Sequence, residues 1–153
     1  MSERMCMSRK KQQTLFERLS FDETMRMYVC QYPLAGSSIE VFVTFEDDAT
    51  NSLERLADST EAFLRQWQTL QKAMLEPVRQ ELAASGRLQP ANESKLTLAA
   101  IVPCSLHVIH APPDETILNF GIHLPDFLDE MEFFEYRCNF ARTFEATEID
   151  FMA

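Results

Sequence analysis

The sequence predicts an α+β domain in which a mostly antiparallel sheet, of β-β-α-β-β-β order, packs one face against a long helix. Two segments with alternating apolar residues come first, a segment with helical periodicity follows, and three or four further alternating segments close the chain. Strands interrupted by a single helix are typical of an antiparallel sheet covered on one face. The 153 residues fit one domain, and no internal repeat or second domain is evident.

The N-terminal part predicts a tail, a helical turn and a hairpin. Residues 1–12 are polar and basic and are expected to form a flexible tail, which leaves 13–153 as a single domain. A short helical turn is expected within residues 13–20. Residues 24–32 and 38–45 alternate as strands do, and the PLAGSS segment between them is typical of a turn.

The long helix is the clearest element of the sequence. Its apolar positions recur every three or four residues, which places them on one stripe of a helix: Leu53, Leu56, Phe63, Leu64, Trp67, Leu70, Met74, Leu75, Val78 and Leu82. Asn51 and Glu54 have the spacing of an N-terminal capping box, and Gly86 is a suitable C-terminal stop. Because Pro77 lies inside this run, we expect a kink or a break near Glu76.

Three strands and a fourth short one are predicted after the helix. Residues 104–111, 117–124 and 133–140 alternate between apolar and polar side chains, and residues 148–151 form a short last strand. The segment 125–130 (PDFLDE) is expected to be an acidic loop between the second and third of these strands.

The charge of the chain restricts its partners. The formal net charge is −10, and binding of nucleic acid or of an anionic membrane requires a basic surface. Residues 112–153 carry ten acidic and two basic residues, whereas residues 1–20 carry five basic and two acidic ones. We therefore expect neither direct nucleic acid binding nor membrane binding, and the acidic C-terminal third suits a protein partner with a basic surface.

The sequence offers no recognisable catalytic or cofactor motif. Three glycines in 153 residues exclude the glycine-rich phosphate-binding loops, and no GxSxG, HExxH or SxxK motif is present. On a strand, His107 and His110 would point to opposite faces, and His123 belongs to another strand, so we predict no metal site. We likewise predict no cofactor and no catalytic residue, although a small enzyme or a metal-binding domain built from histidine and cysteine side chains stays an alternative.

The cysteines and the hydropathy indicate the compartment. Cys30, Cys104 and Cys138 lie in apolar segments and are expected to be buried, reduced thiols. No stretch approaches 18 apolar residues, and the N-terminus has no apolar signal segment. A cytoplasmic location is therefore expected.

The one functional signal is the acidic region that surrounds the predicted loop at 125–130. Its carboxylates could meet a basic surface, steer its approach and supply specificity. The candidate partner-binding residues are Asp126, Asp129, Glu130, Glu132 and Glu135. The first hypothesis is a non-enzymatic protein-binding domain. A second is a nucleic acid mimic that blocks a DNA-binding protein with a row of carboxylates. The enzyme or metal-binding domain named above is the third, and a homodimer formed through a sheet edge is a further alternative.

The order of elements resembles that of small bacterial α+β domains of unknown function, some of which are encoded beside toxins as immunity-type proteins. The resemblance lies in the strand Ile39–Phe45 that leads into the Asn51–Leu82 helix, in the strand Leu106–Ile109, and in Phe127-Leu128 within the acidic loop. It covers about residues 36–151. It implies binding to a partner protein, of the kind an immunity or inhibitor protein performs, and implies no catalysis.

Overall fold

The computed structural model describes residues 13–34, 39–46, 53–111, 115–140 and 148–151, without the side chains of 110, 111, 115 and 148–151. The predicted tail at 1–12, most of the first turn and the Asn51 cap lie outside these ranges. The described residues form three α-helices and seven strands, which confirms the α+β class. The helices are α1 (Leu15–Arg18), α2 (Leu53–Leu64) and α3 (Trp67–Ala84), and two 3-10 turns follow at Glu93–Lys95 and Leu98–Ala100.

Seven strands form one sheet whose spatial order equals the order along the chain. They are β1 (Ser20–Asp22), β2 (Met27–Pro33), β3 (Glu40–Glu46), β4 (Val102–Ala111), β5 (Glu115–His123), β6 (Glu132–Cys138) and β7 (Glu148–Phe151). Every neighbouring pair is antiparallel except β3 and β4, which are parallel because the helices form a crossover between them. The sheet is thus mostly antiparallel as predicted, but three strands precede α2 and α3 and four follow them, so the predicted strand order is not confirmed.

One face of the sheet, the inner face, is apolar and joins the helices in a single core. The register places one row of inner-face residues side by side across five strands, namely Cys30, Val43, Leu106, Phe120 and Tyr136. Each is at most 7% exposed. Trp67 of α3 packs on Phe120 with ring centroids 6.1 Å apart. The alternating apolar residues of the predicted strands 38–45, 117–124 and 133–140 therefore lie mainly on this buried face.

The helical segment is divided into two helices at Arg65 and Gln66. This division is N-terminal to the kink or break predicted near Glu76. The Gln66 N–H donates to the carbonyl of Phe63, three residues back, and this tighter turn ends α2. Pro77 lies inside α3 without ending it. Met74 and Val78 on either side of Pro77 are fully buried, and this burial holds α3 together across a residue that lacks an N–H.

Local sequence signals define the start of α1 and the end of α3. Thr14 and Glu17 form a capping box around α1, with hydrogen bonds of 3.1 and 2.9 Å. This bonding lowers the pKa of Glu17, chiefly through the backbone N–H of Thr14. Gly86 ends α3 as predicted, because its φ of +77° suits glycine and lets the next N–H, that of Arg87, return to the carbonyl of Leu82 at 2.8 Å.

A β-bulge in β4 corrects the prediction for Cys104. Pro103 pairs with Ile122 and Ser105 pairs with Gly121, so no residue of β5 lies opposite Cys104 in the register, although its thiol donates to the carbonyl of Gly121 at 3.3 Å. The shift turns Pro103 inward and leaves Cys104 exposed. Cys30 and Cys138 are buried as predicted, and burial raises their pKa values to about 11 and about 12.

Candidate functional site: two cavities at the 124–131 loop

The loop between β5 and β6, residues 124–131, is a closely hydrogen-bonded turn. The N–H groups of Phe127 and Leu128 both donate to the carbonyl of Leu124, at 3.0 and 2.8 Å. The side chains of Phe127 and Leu128 are 9% and 7% exposed, so they anchor the loop in the core. The acidic residues of the loop are thereby held on a fixed backbone, which lowers the entropy that binding would cost.

Glu132 fixes the C-terminal end of this loop. Its Oε1 accepts the N–H of Asp129 at 2.9 Å, and its Oε2 accepts a hydrogen bond from the Arg87 guanidinium. The Glu132 side chain is 3% exposed and that of Arg87 is 31% exposed. A buried carboxylate requires such a partner, because an unpaired charge away from water is costly. Arg87 and Glu132 thus connect the end of α3 to the start of β6.

A cavity of about 450 Å³, called here the acidic cavity, lies against the C-terminal half of the loop. His123, Leu124 and Pro125 form one wall, and Leu128, Asp129, Glu130, Met131 and Glu132 form the rest. Asp129 and Glu130 are exposed, and within the ranges described neither makes an ion pair. Since the charge of Glu132 is offset by Arg87, Asp129 and Glu130 give this cavity a negative field.

A second cavity of about 320 Å³, called here the apolar cavity, adjoins the acidic cavity at the same wall. It shares His123, Leu124 and Pro125 with the acidic cavity, and its remaining lining is Ala99, Ala100, Val102, Asp126 and Phe127. The 3-10 turn that carries its two alanines is held by Gln71 of α3, whose side-chain amide donates to the carbonyls of Leu98 and Ile101 at 2.6 and 3.1 Å. Both cavities therefore rest on hydrogen-bonded backbone.

The five carboxylates predicted to bind a partner do not lie together. Asp129 and Glu130 line the acidic cavity, and Asp126 lines the apolar one. Asp126 also pairs with Lys95 at 3.8 Å, with both side chains more than half exposed, so this pair contributes little. Glu132 is buried against Arg87. Glu135 is separate from the other four, since it lines neither cavity and bonds to Asn119 and Arg137 instead.

Glu135 belongs to a polar network on the outer face of the sheet. It is 6% exposed and accepts hydrogen bonds of 2.9 Å from Asn119 and from Nε of Arg137. The neighbouring strands carry a second group, in which the Thr44 hydroxyl lies 2.6 Å from Nδ1 of His107 and Glu46 lies 3.3 Å from Nε2. The polar atoms are hydrogen-bonded within each group, although Oδ1 of Asn119 has no partner among the described residues.

The histidines occupy different surroundings. His107 is held on the outer face in the middle of β4, and His123 ends β5 in the wall shared by the two cavities. The side chain of His110, which was predicted to face away from that of His107, lies outside the described residues. Within the described part of the chain, no group of three or more histidine, cysteine, aspartate or glutamate side chains could hold a metal ion.

Sequence reasoning missed two parts of this site. Nothing in the sequence relates Arg87 to Glu132, since the two residues are far apart in the chain. The apolar cavity depends on how the 3-10 turn meets the loop, which periodicity does not show. The pair Phe127-Leu128 inside an acidic segment was the available signal, because two large apolar residues in a loop indicate that the loop is anchored in the core.

Comparison with known proteins found no matching family model, no matching curated protein and no matching solved structure. In the helices that the structure describes, none combines the length and the apolar character needed to cross a membrane.

Proposed function

We propose that this chain is a non-enzymatic protein-binding domain that uses an acidic surface against a basic partner, as an immunity or inhibitor protein would. The observation that carries the proposal is the acidic cavity, where two exposed carboxylates, Asp129 and Glu130, stand on a hydrogen-bonded loop and make no ion pair with the described part of the chain. A lysine or arginine side chain of a partner is the group that this arrangement suits best.

The charge of the whole chain supports the same partner. A net charge of −10 attracts basic proteins and repels nucleic acid. Such a field increases the association rate, while the carboxylates that become desolvated at the contact supply specificity. Binding should therefore weaken as salt is added, because exposed charges are screened over about 10 Å at 0.1 M ionic strength.

The positions of Glu132 and Glu135 favour a local cavity over mimicry of nucleic acid. A mimic presents a row of exposed carboxylates, whereas these two are buried and bonded to Arg87 and Arg137. Between Asp126 and Arg137, the exposed carboxylates are confined to the loop. We therefore narrow the proposed contact to Asp129 and Glu130, with Asp126 beside them.

A selection from a random peptide library on the immobilised full chain tests this proposal. We expect the enriched peptides to be basic, and their dissociation constants to rise with salt when measured by fluorescence anisotropy. The variant Asp129→Asn/Glu130→Gln should weaken their binding about tenfold, which corresponds to about 1.4 kcal/mol.

The matched control is Glu54→Gln/Asp58→Asn, which also removes two exposed carboxylates but on α2, away from both cavity linings. It should raise the dissociation constant less than about threefold, because it alters only the long-range electrostatic field of the chain. Equal weakening by both variants would show that only net charge matters and would contradict a site at the loop. Enrichment of peptides without basic residues would contradict the proposed function altogether.

A further inference from the structure

The apolar cavity differs in chemistry from the acidic surface beside it. Its lining is largely alkyl and aromatic, from Ala99, Ala100, Val102, Leu124 and Phe127. Its volume of about 320 Å³ lies at the lower end of the range of small ligand pockets. Filling an apolar cavity that is open to water is favourable, because it gains roughly 25 cal/mol for each Å² of apolar surface removed from water.

The position of this cavity limits what can occupy it. It shares the wall of His123, Leu124 and Pro125 with the acidic cavity, so one ligand that passes over these residues can reach both. Met131, a large apolar side chain that is 59% exposed, lines the acidic cavity and can contact the alkyl part of a lysine or arginine there. The charge next to the wall is negative, through Asp129 and Glu130, which favours a ligand that is basic close to its apolar group.

We propose that the apolar cavity binds a large apolar side chain of the same partner segment that places a lysine or arginine in the acidic cavity, with the two residues only a few positions apart. This inference rests on the proposed function and names its partner class, a short basic and apolar segment of a protein. The acidic cavity supplies the charge attraction, and the apolar cavity supplies the burial that distinguishes this segment from other basic sequences. Specificity then comes from two contacts of different chemistry that must be satisfied together.

Ala99→Phe is the variant that tests the apolar cavity. Ala99 is exposed, so a phenyl group there fills the cavity without entering the core. The matched control is Ala91→Phe, which adds the same group to an exposed alanine that lines neither cavity. The midpoint of thermal unfolding of both variants should equal that of the parent chain, which would show that the fold is intact.

The probe is a peptide enriched on the parent chain by the selection described above. We expect an aromatic or long aliphatic residue within a few positions of its lysine or arginine. Ala99→Phe should weaken the binding of this peptide about tenfold, which corresponds to about 1.4 kcal/mol, and Ala91→Phe should leave it unchanged. A peptide whose apolar residue is replaced by alanine should bind the parent as weakly, and should lose little more on Ala99→Phe, because the two changes remove one contact.

The outcomes separate this inference from the function on which it rests. Basic peptides that lack a nearby apolar residue, or that bind Ala99→Phe as well as the parent, would overturn the role of the apolar cavity and leave the acidic one standing. Peptides that bind Asp129→Asn/Glu130→Gln as tightly as they bind the parent chain would overturn the proposed function itself.

Discussion

Removing the guanidinium of Arg87 should destabilise the domain far more than removing other surface arginines. In Arg87→Met, the Glu132 carboxylate, 3% exposed, keeps only the hydrogen bond from the N–H of Asp129 among the residues that the structure describes. Loss of one partner of a buried pair costs about 3–5 kcal/mol, because a charge is left without compensation. Since the Arg87 side chain is 31% exposed, part of that interaction is already screened by water, and we expect a loss of about 2–4 kcal/mol.

Arg79→Met, a substitution within α3, is the matched control. Arg79 pairs with Glu93 at 3.7 Å, but the two side chains are 32% and 61% exposed, and such pairs contribute less than about 1 kcal/mol. The double variant Arg87→Met/Glu132→Met should be more stable than Arg87→Met alone, because it removes the charge that would otherwise stay buried without a partner.

Urea unfolding followed by tryptophan fluorescence measures these differences. The chain has a single tryptophan, Trp67, which is 2% exposed and packs on Phe120, so its emission reports loss of the core. If Arg87→Met and Arg79→Met fell within about 0.5 kcal/mol of each other, the assignment of Arg87 as the necessary partner of Glu132 would be refuted. If Arg87→Met/Glu132→Met were as unstable as Arg87→Met, the charge argument would be refuted. The loss of stability would then come from the lost packing of the arginine side chain.

Three further outcomes follow from the core and from the outer face of the sheet. Alkylation of the folded chain, mapped by mass spectrometry, should label Cys104, which is exposed, and spare Cys30 and Cys138, which are buried. Because the pKa values of these two thiols are raised to about 11 and about 12, the folded state keeps their protons above pH 9 while the unfolded state loses them. The free energy of unfolding should therefore fall as the pH rises from 9 toward 12, and a flat profile would contradict this. Gly121→Ala should destabilise the chain by about 1 kcal/mol, since the added Cβ would lie 2.5 Å from Oγ of Ser105, and Ser105→Ala should remove that loss.

The elements that depend on local patterns were predictable from the sequence. Alternation in residues 38–45, 117–124 and 133–140 located three strands and their buried faces, and the short strand at 148–151 was also found. The helical stripe is buried nearly as expected, because periodic burial needs only an apolar partner surface.

Features that depend on contacts distant in sequence were not predictable. The division at Gln66 follows from how Phe63, Leu64 and Trp67 all reach the core, whereas Pro77 is tolerated because Met74 and Val78 are buried around it. The exposure of Cys104 results from a bulge against β5, which alternation within β4 does not reveal. Strand β1 is short and mostly exposed, so it carries little hydrophobic pattern.

The candidate site, like the fold, was predictable only where local sequence patterns determine it. The sequence located an acidic loop and named its carboxylates, but it could not distinguish free carboxylates from paired ones. Glu132 and Glu135 are engaged with Arg87 and Arg137, so reversing their charge would disturb buried pairs and confuse binding with folding. Asp129 and Glu130 are the residues whose substitution tests binding alone.

Mapping of a selected basic peptide on the isotope-labelled chain by nuclear magnetic resonance tests the central claim most directly. The amide shifts that change on titration should cluster at 123–132 and at 99–102, the segments that line the two cavities. Changes centred on Thr44, His107 and Asn119, which line neither cavity, would contradict the proposal and move the binding site to the middle of the outer face of the sheet.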